Sequence, residues 1–205
     1  MKKLFTIAAA VVIASAAFAQ PTGLKIGGGF NVDTYNYTPS DEDIDPRAAD
    51  GYHFFVTYPF VFTDVSALTV GLRWQQCFYF VGAGQSKEDP IYFKSDYSRG
   101  YISLPVKYEA HFGGFFFNVG PTATFWALYN EVRSTKDTKT TSDMFQKNDG
   151  FNRFELGAGA EIGYDWTHIR VSAGYDYGIT KGIKAANAPM NFNRHAIRLS
   201  VAYIF

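Results

Sequence analysis

Four histidines, one cysteine and a scatter of charged residues are the groups in this 205-residue chain whose types could do chemistry. His168 and Ser172 offer a base and a nucleophile within one segment. At strand spacing they share a face but lie about 13 Å apart. A nucleophile and its base need ~2.6–3.2 Å. No Ser/His pair with an acid can be named, so no catalytic residue is assigned. A lone Cys77 cannot form an internal disulfide, and no Cys/His cluster has the spacing of a zinc site. No metal ligand and no cofactor is therefore expected, and Cys77 reads as a packed, inert thiol.

The charged residues are the second constellation. Arg73, Lys107, Arg153, Arg170 and Arg198 recur with Glu109, Glu155 and Glu161 on the polar phase of alternating segments. Such a set either lines a pore or fills an interior as a salt-bridge network. Buried charges at this density have to be paired. Residues 38–50 hold Asp41, Glu42, Asp43, Asp45 and Asp50 against Arg47 alone. They lack the glycine and spacing of an EF-hand and read as a solvated acidic loop. Gly27-Gly28-Gly29 and Gly157-Ala158-Gly159 sit inside strands, without the strand–loop–helix context of a phosphate loop or dinucleotide fingerprint. Crowding or a bulge is the expectation for the first. His111 and His168 fall on the polar phase near short turns. His53 is on that phase near the far end of its segment, and His195 is on the apolar phase.

The elements that must position these residues are strands. Ile197, Leu199, Val201, Tyr203 and Phe205 alternate with Ala196, Arg198, Ser200, Ala202 and Ile204. The same period-two pattern covers 168–177, 153–164 and 101–112, and with less regularity 115–129, 68–81, 51–62 and 24–37. Eight strands result, mostly 11–15 residues long. Formal net charge is zero and the pI about 6.9, so nothing recommends a nucleic-acid partner. Twenty Phe, 14 Tyr and three Trp suit a β-rich chain whose aromatics meet something other than water.

Lys2 and Lys3, the apolar run from Leu4 to Phe18, and Ala17-Phe18-Ala19 have the order of a secretory signal peptide. Residues 1–19 are expected to be a signal peptide and 20–205 the barrel domain. Beyond them no apolar run reaches 18 residues. A soluble sandwich and a membrane barrel both host period-two strands. Strand length, polar faces with both charge signs, and aromatics near strand ends favour the barrel. Those aromatics are Tyr52, Phe112, Phe115, Tyr129, Tyr164, Trp166 and Phe205. Connections alternate short (63–67, 113–114, 165–167) and long (38–50, 82–98, 130–150, 180–193), with the 130–150 segment reading as mobile. The expected fold is an all-β, eight-stranded, antiparallel up-and-down transmembrane β-barrel. Pro59, Pro105 and Pro121 donate no ladder hydrogen bond, and bulges are expected at them.

Tyr101-Ile102-Ser103-Leu104-Pro105-Val106-Lys107-Tyr108, followed by Phe117-Asn118-Val119-Gly120-Pro121, resembles a hairpin of PorT-type outer-membrane barrels, a small OmpA/OmpX-like eight-stranded architecture. Phe151-Asn152-Arg153-Phe154, the Gly157/Gly159/Gly163 series and Tyr175-Asp176-Tyr177-Gly178-Ile179 extend the resemblance over the mature chain. It implies a Gram-negative outer-membrane location, crossed by several strands, with outer-membrane lipid as a partner. The founding member of that family serves type IX secretion. The terminal Phe205, with apolar residues at every second position before it, resembles the signal read by the barrel assembly machinery. The expected function is non-enzymatic: a structural or surface-interaction role through long extracellular loops. The alternative is an accessory role in type IX-like secretion, with an unidentified extracellular or secretion partner. A lipid-modifying barrel enzyme and a narrow porin are the remaining readings.

Overall fold

A computed structural model describes residues 23–38, 48–83, 93–147, 152–180 and 191–205. The strands are β1 (Lys25–Thr38), β2 (Ala49–Thr63), β3 (Ser66–Ala83), β4 (Phe93–Phe112), β5 (Phe115–Thr135), β6 (Lys139–Asp143), β7 (Phe154–Asp165), β8 (Ile169–Gly178) and β9 (Asn191–Ile204). A four-residue helix α1 (Met144–Lys147) follows β6. Every pairing is antiparallel between sequence neighbours, except that β5 pairs β7 and β1 pairs β9. Those two pairings close eight strands into a ring, and β6 hangs on the outer extension of β5.

Alternation sets which way each side chain points. Along β8 exposed and buried residues alternate without a break. Apolar residues face out: Phe30 is 77% exposed, Phe112 73% and Leu199 61%. Polar and charged residues face in: Arg198 is 2% exposed and Glu109 none at all. This inside-out distribution is untenable in water, where a continuous apolar belt would drive association. It suits hydrocarbon, where a closed barrel satisfies every backbone group. Among the described residues no helix is long and apolar enough to cross a membrane.

The turns follow the expected scheme. Gly113-Gly114 joins Phe112 to Phe115, and the φ of 66° at Gly113 is what a type II′ hairpin requires. Gly27 and Gly29 mark close approach, and no register shift interrupts β1. A methyl group at Gly29 would overlap the Leu199 carbonyl oxygen of β9.

Two expectations need correction. The prolines do not make bulges. Pro59 pairs Thr69 and Pro121 pairs Ala158 in register, and where the β3–β4 and β4–β5 ladders skip partners at Pro105 and Pro121 they resume with unchanged offset. The real irregularities lie between Val61 and Thr63, and opposite Gly100 and Tyr101, where Ala127 is the extra residue in β5. The segments 82–98 and 130–150 are not simply loops: β4 starts at Phe93, β5 runs to Thr135, and β6 and α1 follow. The signal-peptide residues 1–19 lie outside the described residues, as do 39–47 of the acidic segment.

Candidate functional site

The barrel interior is a stack of side-chain tiers, each built from strand positions two residues apart. At the end with the short turns, Arg170 of β8 donates to Glu109 of β4 from Nη1 (2.8 Å) and Nη2 (3.0 Å). Its Nε and Nη2 reach Asp165 at 2.6 Å each. The Lys25 ammonium lies 3.4 Å from Glu109, and His111 Nε2 lies 2.9 Å from the same carboxylate. The Arg170 guanidinium also sits 3.6 Å from the centre of the Phe116 ring. Two cations meet two carboxylates, and the tier is neutral.

The middle tier centres on Asp176 of β8, which takes both Arg73 and Arg198. Lys107 stands 3.6 Å from Glu161 and 3.9 Å from Asp176. Above it, Arg194 donates to Glu155 at 2.9 Å and lies 3.4 Å from Asp33, which also accepts from Gln75 at 2.6 Å. Asn31 donates to Cys77 Sγ at 3.0 Å, so the thiol is packed and bonded as the sequence suggests. Charge-assisted hydrogen bonds of this kind hold an interior only when each partner is matched.

The outward mouth is closed by an arginine in an aromatic box. The Arg99 guanidinium lies 4.3 Å from the Tyr35 ring centre, 4.5 Å from Tyr79 and 4.8 Å from Tyr129. It donates to the Tyr79 hydroxyl at 2.8 Å and to Tyr129 at 3.2 Å. Phe145 of α1 meets Tyr129 edge-on at 6.0 Å, and Arg153 covers its far face at 4.0 Å. The extra residue Ala127 makes this box. Below it even-numbered β5 residues face inward (Thr124, Trp126), and above it odd-numbered ones do (Tyr129, Glu131).

On the outer wall, Tyr52 donates to Gln76 at 3.0 Å and Gln76 donates to Ser98 at 3.0 Å. This polar chain forms an upper border on the outer wall, above which Phe78 and Phe80 of β3 are still exposed. From there to the short turns β2 carries 12 residues (52–63), β3 carries 11 (66–76) and β4 carries 15 (98–112), each enough for a tilted span. Above that border β3, β4 and β5 continue for about six residues each, on the order of 15–20 Å.

The sequence expectations divide cleanly. Arg73, Lys107, Arg170, Arg198, Glu109, Glu155 and Glu161 all face the interior. Arg153 does not: it precedes β7 and is exposed. His168 is not interior either. It lies in the turn before β8, exposed and stacked on the outward Tyr203, with Ser172 on the opposite, buried face. Tyr129, expected in an outer girdle, belongs to the Arg99 box. His195 is outward, as read, and bonds the Tyr175 hydroxyl at 2.5 Å. Lys25, Asp33, Arg99 and Arg194 escaped sequence reasoning. Arg99 and Arg194 fall between the segments read as loop (82–98, 180–193) and those read as strand (101–112, 196–205), while Lys25 and Asp33 share the odd phase of β1 with Asn31 and Tyr35.

One pairing has the geometry of a nucleophile and base: His53 Nε2 and Ser200 Oγ are 2.9 Å apart. No carboxylate orients it, because His53 Nδ1 has no hydrogen-bond partner. Both residues border an interior cavity of about 40 Å³ among arginines.

A model of the outer membrane protein β-barrel domain matches residues 18–184. No curated protein matches the chain significantly. Among solved structures, Ail, the attachment invasion locus protein of Yersinia pestis, is similar at a TM-score of 0.51 and 14% identity, over 90% of this chain and 99% of that one. The same protein in complex with the heparin analogue sucrose octasulfate gives 0.53 and 13%, with coverage of 90% and 99%. Neisserial surface protein A gives 0.52 and 12%, over 90% of this chain and 98% of the other. Identities this low establish a shared fold.

Proposed function

The chain belongs to the outer membrane protein β-barrel domain family, and from that premise we propose that it is a non-enzymatic surface-interaction barrel. The observation that carries this reading is the wall formed by β3, β4, β5 and β6 above the Tyr52–Gln76–Ser98 border. Three strands extended past the lipid belt present a rigid platform to the medium, while the interior beneath them is occupied by ion pairs. An interior so filled argues against a narrow porin. The Ser200–His53 pair, lacking an acid and enclosed in the lumen, argues against a lipid-modifying enzyme.

Within the family, a PorT-type placement is supported by the Leu104-Pro105 and Asn118-Val119-Gly120-Pro121 segments. They lie on the hairpin of β4 and β5, where Pro105 pairs Thr122 next to Pro121. The barrel assembly machinery remains the proposed partner of the C-terminal strand, residues 1–19 the proposed signal peptide and 20–205 the proposed domain.

Comparative proteomics of culture supernatant and cell surface, from wild-type and deletion strains, tests the proposal. An unchanged secretome, with the 136–147 segment labelled on intact cells, is the expected result. Loss of many secreted proteins, with their accumulation in the periplasm, would replace it with the secretion reading.

A further inference from the structure

The middle tier of the interior holds more positive than negative charge. Arg73, Lys107 and Arg198 share only Asp176 and Glu161. The tier nearest the short turns is internally neutral, because Arg170 and Lys25 are matched by Glu109 and Asp165. The tier above has the opposite excess, but its carboxylates, Asp33 and Glu155, are engaged by Arg194 and Gln75. The middle tier thus holds one positive charge more than its own carboxylates match, and the surplus carboxylate charge sits in the tier above, where the neutral Gln75 bonds Asp33 without cancelling its charge.

The same tier contains space and unused donors. The cavity of about 40 Å³ is bordered by the cations Arg73, Lys107, Arg170 and Arg198 and by the carboxylates Glu109 and Glu161, with His53 and Ser200 beside them. It exists because Gly71 and Pro105, which also border it, bring no long side chain into the lumen. Arg73 Nε and Arg198 Nη2 are enclosed and have no acceptor, and Asp176 Oδ1 between these arginines is enclosed without a donor. Unsatisfied guanidinium N–H groups are rare in folded interiors and call for an acceptor. Water could accept these hydrogen bonds but would leave the surplus positive charge of the middle tier in place.

We propose that this cavity binds a small monovalent anion of the size of chloride, held by Arg73, Arg198 and Lys107. A volume of about 40 Å³ admits such an ion, with at most a water or two beside it. Larger oxyanions such as sulfate would press on Pro105 and the His53–Ser200 pair. The ion completes the middle tier as a structural ligand, and it ties β3, β4 and β9 together at the barrel centre.

The test is crystallography of the refolded barrel with bromide as the only halide. The expected result is an anomalous peak inside the cavity, in contact with Arg73 Nε and Arg198 Nη2. Density without anomalous signal, or bromide confined to the outer surface, overturns the proposal in favour of water. A second measurement reads the midpoint of heat modification on gels, in chloride and in isethionate at equal ionic strength. Chloride at tenfold excess over its Kd raises the wild-type midpoint by about 3–5 °C. Lys107→Met removes the surplus charge, and the chloride effect disappears in the folded variant. An undiminished chloride effect in that variant overturns the proposal. If the variant does not fold, the bromide crystals decide alone.

Discussion

Arg170 grips Glu109 with two parallel hydrogen bonds across the barrel's short-turn end, although 61 residues separate them in the chain. The carboxylate also holds Lys25 and His111, so one acidic group matches three neighbours on β1, β4 and β8. Glu109→Gln keeps the shape and removes the charge, leaving Lys25 without a counter-ion. Urea titration in detergent micelles is expected to show a loss of about 3–5 kcal/mol. The double variant Lys25→Met/Glu109→Gln is expected to recover part of it, since it removes the orphaned ammonium. Two single losses that simply add in the double variant would mean that the pair is not coupled.

Closure of the ring depends on β1 approaching β9 at Gly29. Gly29→Val places a branched side chain where the Leu199 carbonyl lies, and no flexible side chain there can yield. The barrel is expected to lose heat-modifiable gel mobility and membrane insertion. Phe30→Ala, one residue away, faces lipid and is expected to insert normally. Equal behaviour of the two variants would show that the seam tolerates the bulk.

How far the sequence discloses this architecture depends on where the strands leave hydrocarbon. Within the belt, period two is enforced because one face meets lipid and the other meets charge. Ile197 to Phe205 and Ile169 to Tyr177 are therefore readable residue by residue. Above the border both faces meet water or protein, and alternation no longer separates them. The extensions 93–98, 130–135 and 191–193 consequently look like loop, and Arg99 and Arg194 at their edges fall outside the readable alternation. Ala127 carries no mark of a bulge, so strict alternation assigns Tyr129 to the wrong face. Arg153 misleads for the opposite reason: the pattern of β7 extrapolates one residue past its end. Proline was a weak guide to bulges, since a single missing ladder hydrogen bond perturbs the pairing less than an inserted residue.

The bulge is itself testable. Deleting Ala127 removes the extra residue, so that Leu128 follows Trp126 and Tyr129 and Glu131 keep their inward face in a regular ladder. The Arg99 guanidinium then keeps Tyr129 as a stacking and hydrogen-bonding partner, and Tyr97 keeps its bond to Glu131. The barrel is expected to assemble, with normal heat modification. The near-ultraviolet circular dichroism of the Tyr35–Trp126–Tyr101 cluster is expected to persist. Loss of that signal would show that the box needs the local twist of the bulge and not only the inward face of Tyr129.

Cys77 reports whether that box seals the mouth. Its thiol is fully buried beneath Tyr35, Tyr101 and Trp126. Wild-type protein on intact cells is expected to resist a charged maleimide until it is denatured. Arg99→Ala removes the cation that bridges Tyr79 and Tyr129, and labelling is expected to rise at least about tenfold with even ~1.4 kcal/mol less resistance to opening. Rapid labelling of the wild type would instead mean that the lumen is open to the medium.

Ser200 and His53 decide the question of chemistry. Their 2.9 Å contact meets the distance requirement of a nucleophile and its base. Catalysis also needs an oriented imidazole and a route for substrate. His53 Nδ1 has neither carboxylate nor carbonyl partner, and the pair looks into a cavity too small for an acyl chain. The hydrogen bond is therefore structural, linking β2 to β9 across the lumen. Ser200→Ala is expected to leave lipid A and phospholipid mass spectra identical to wild type upon overexpression. It should cost stability by about 1 kcal/mol, the worth of one neutral hydrogen bond. A lipid species present with wild type and absent with Ser200→Ala would make the pair a catalytic dyad, and the surface-barrel reading would fall with it.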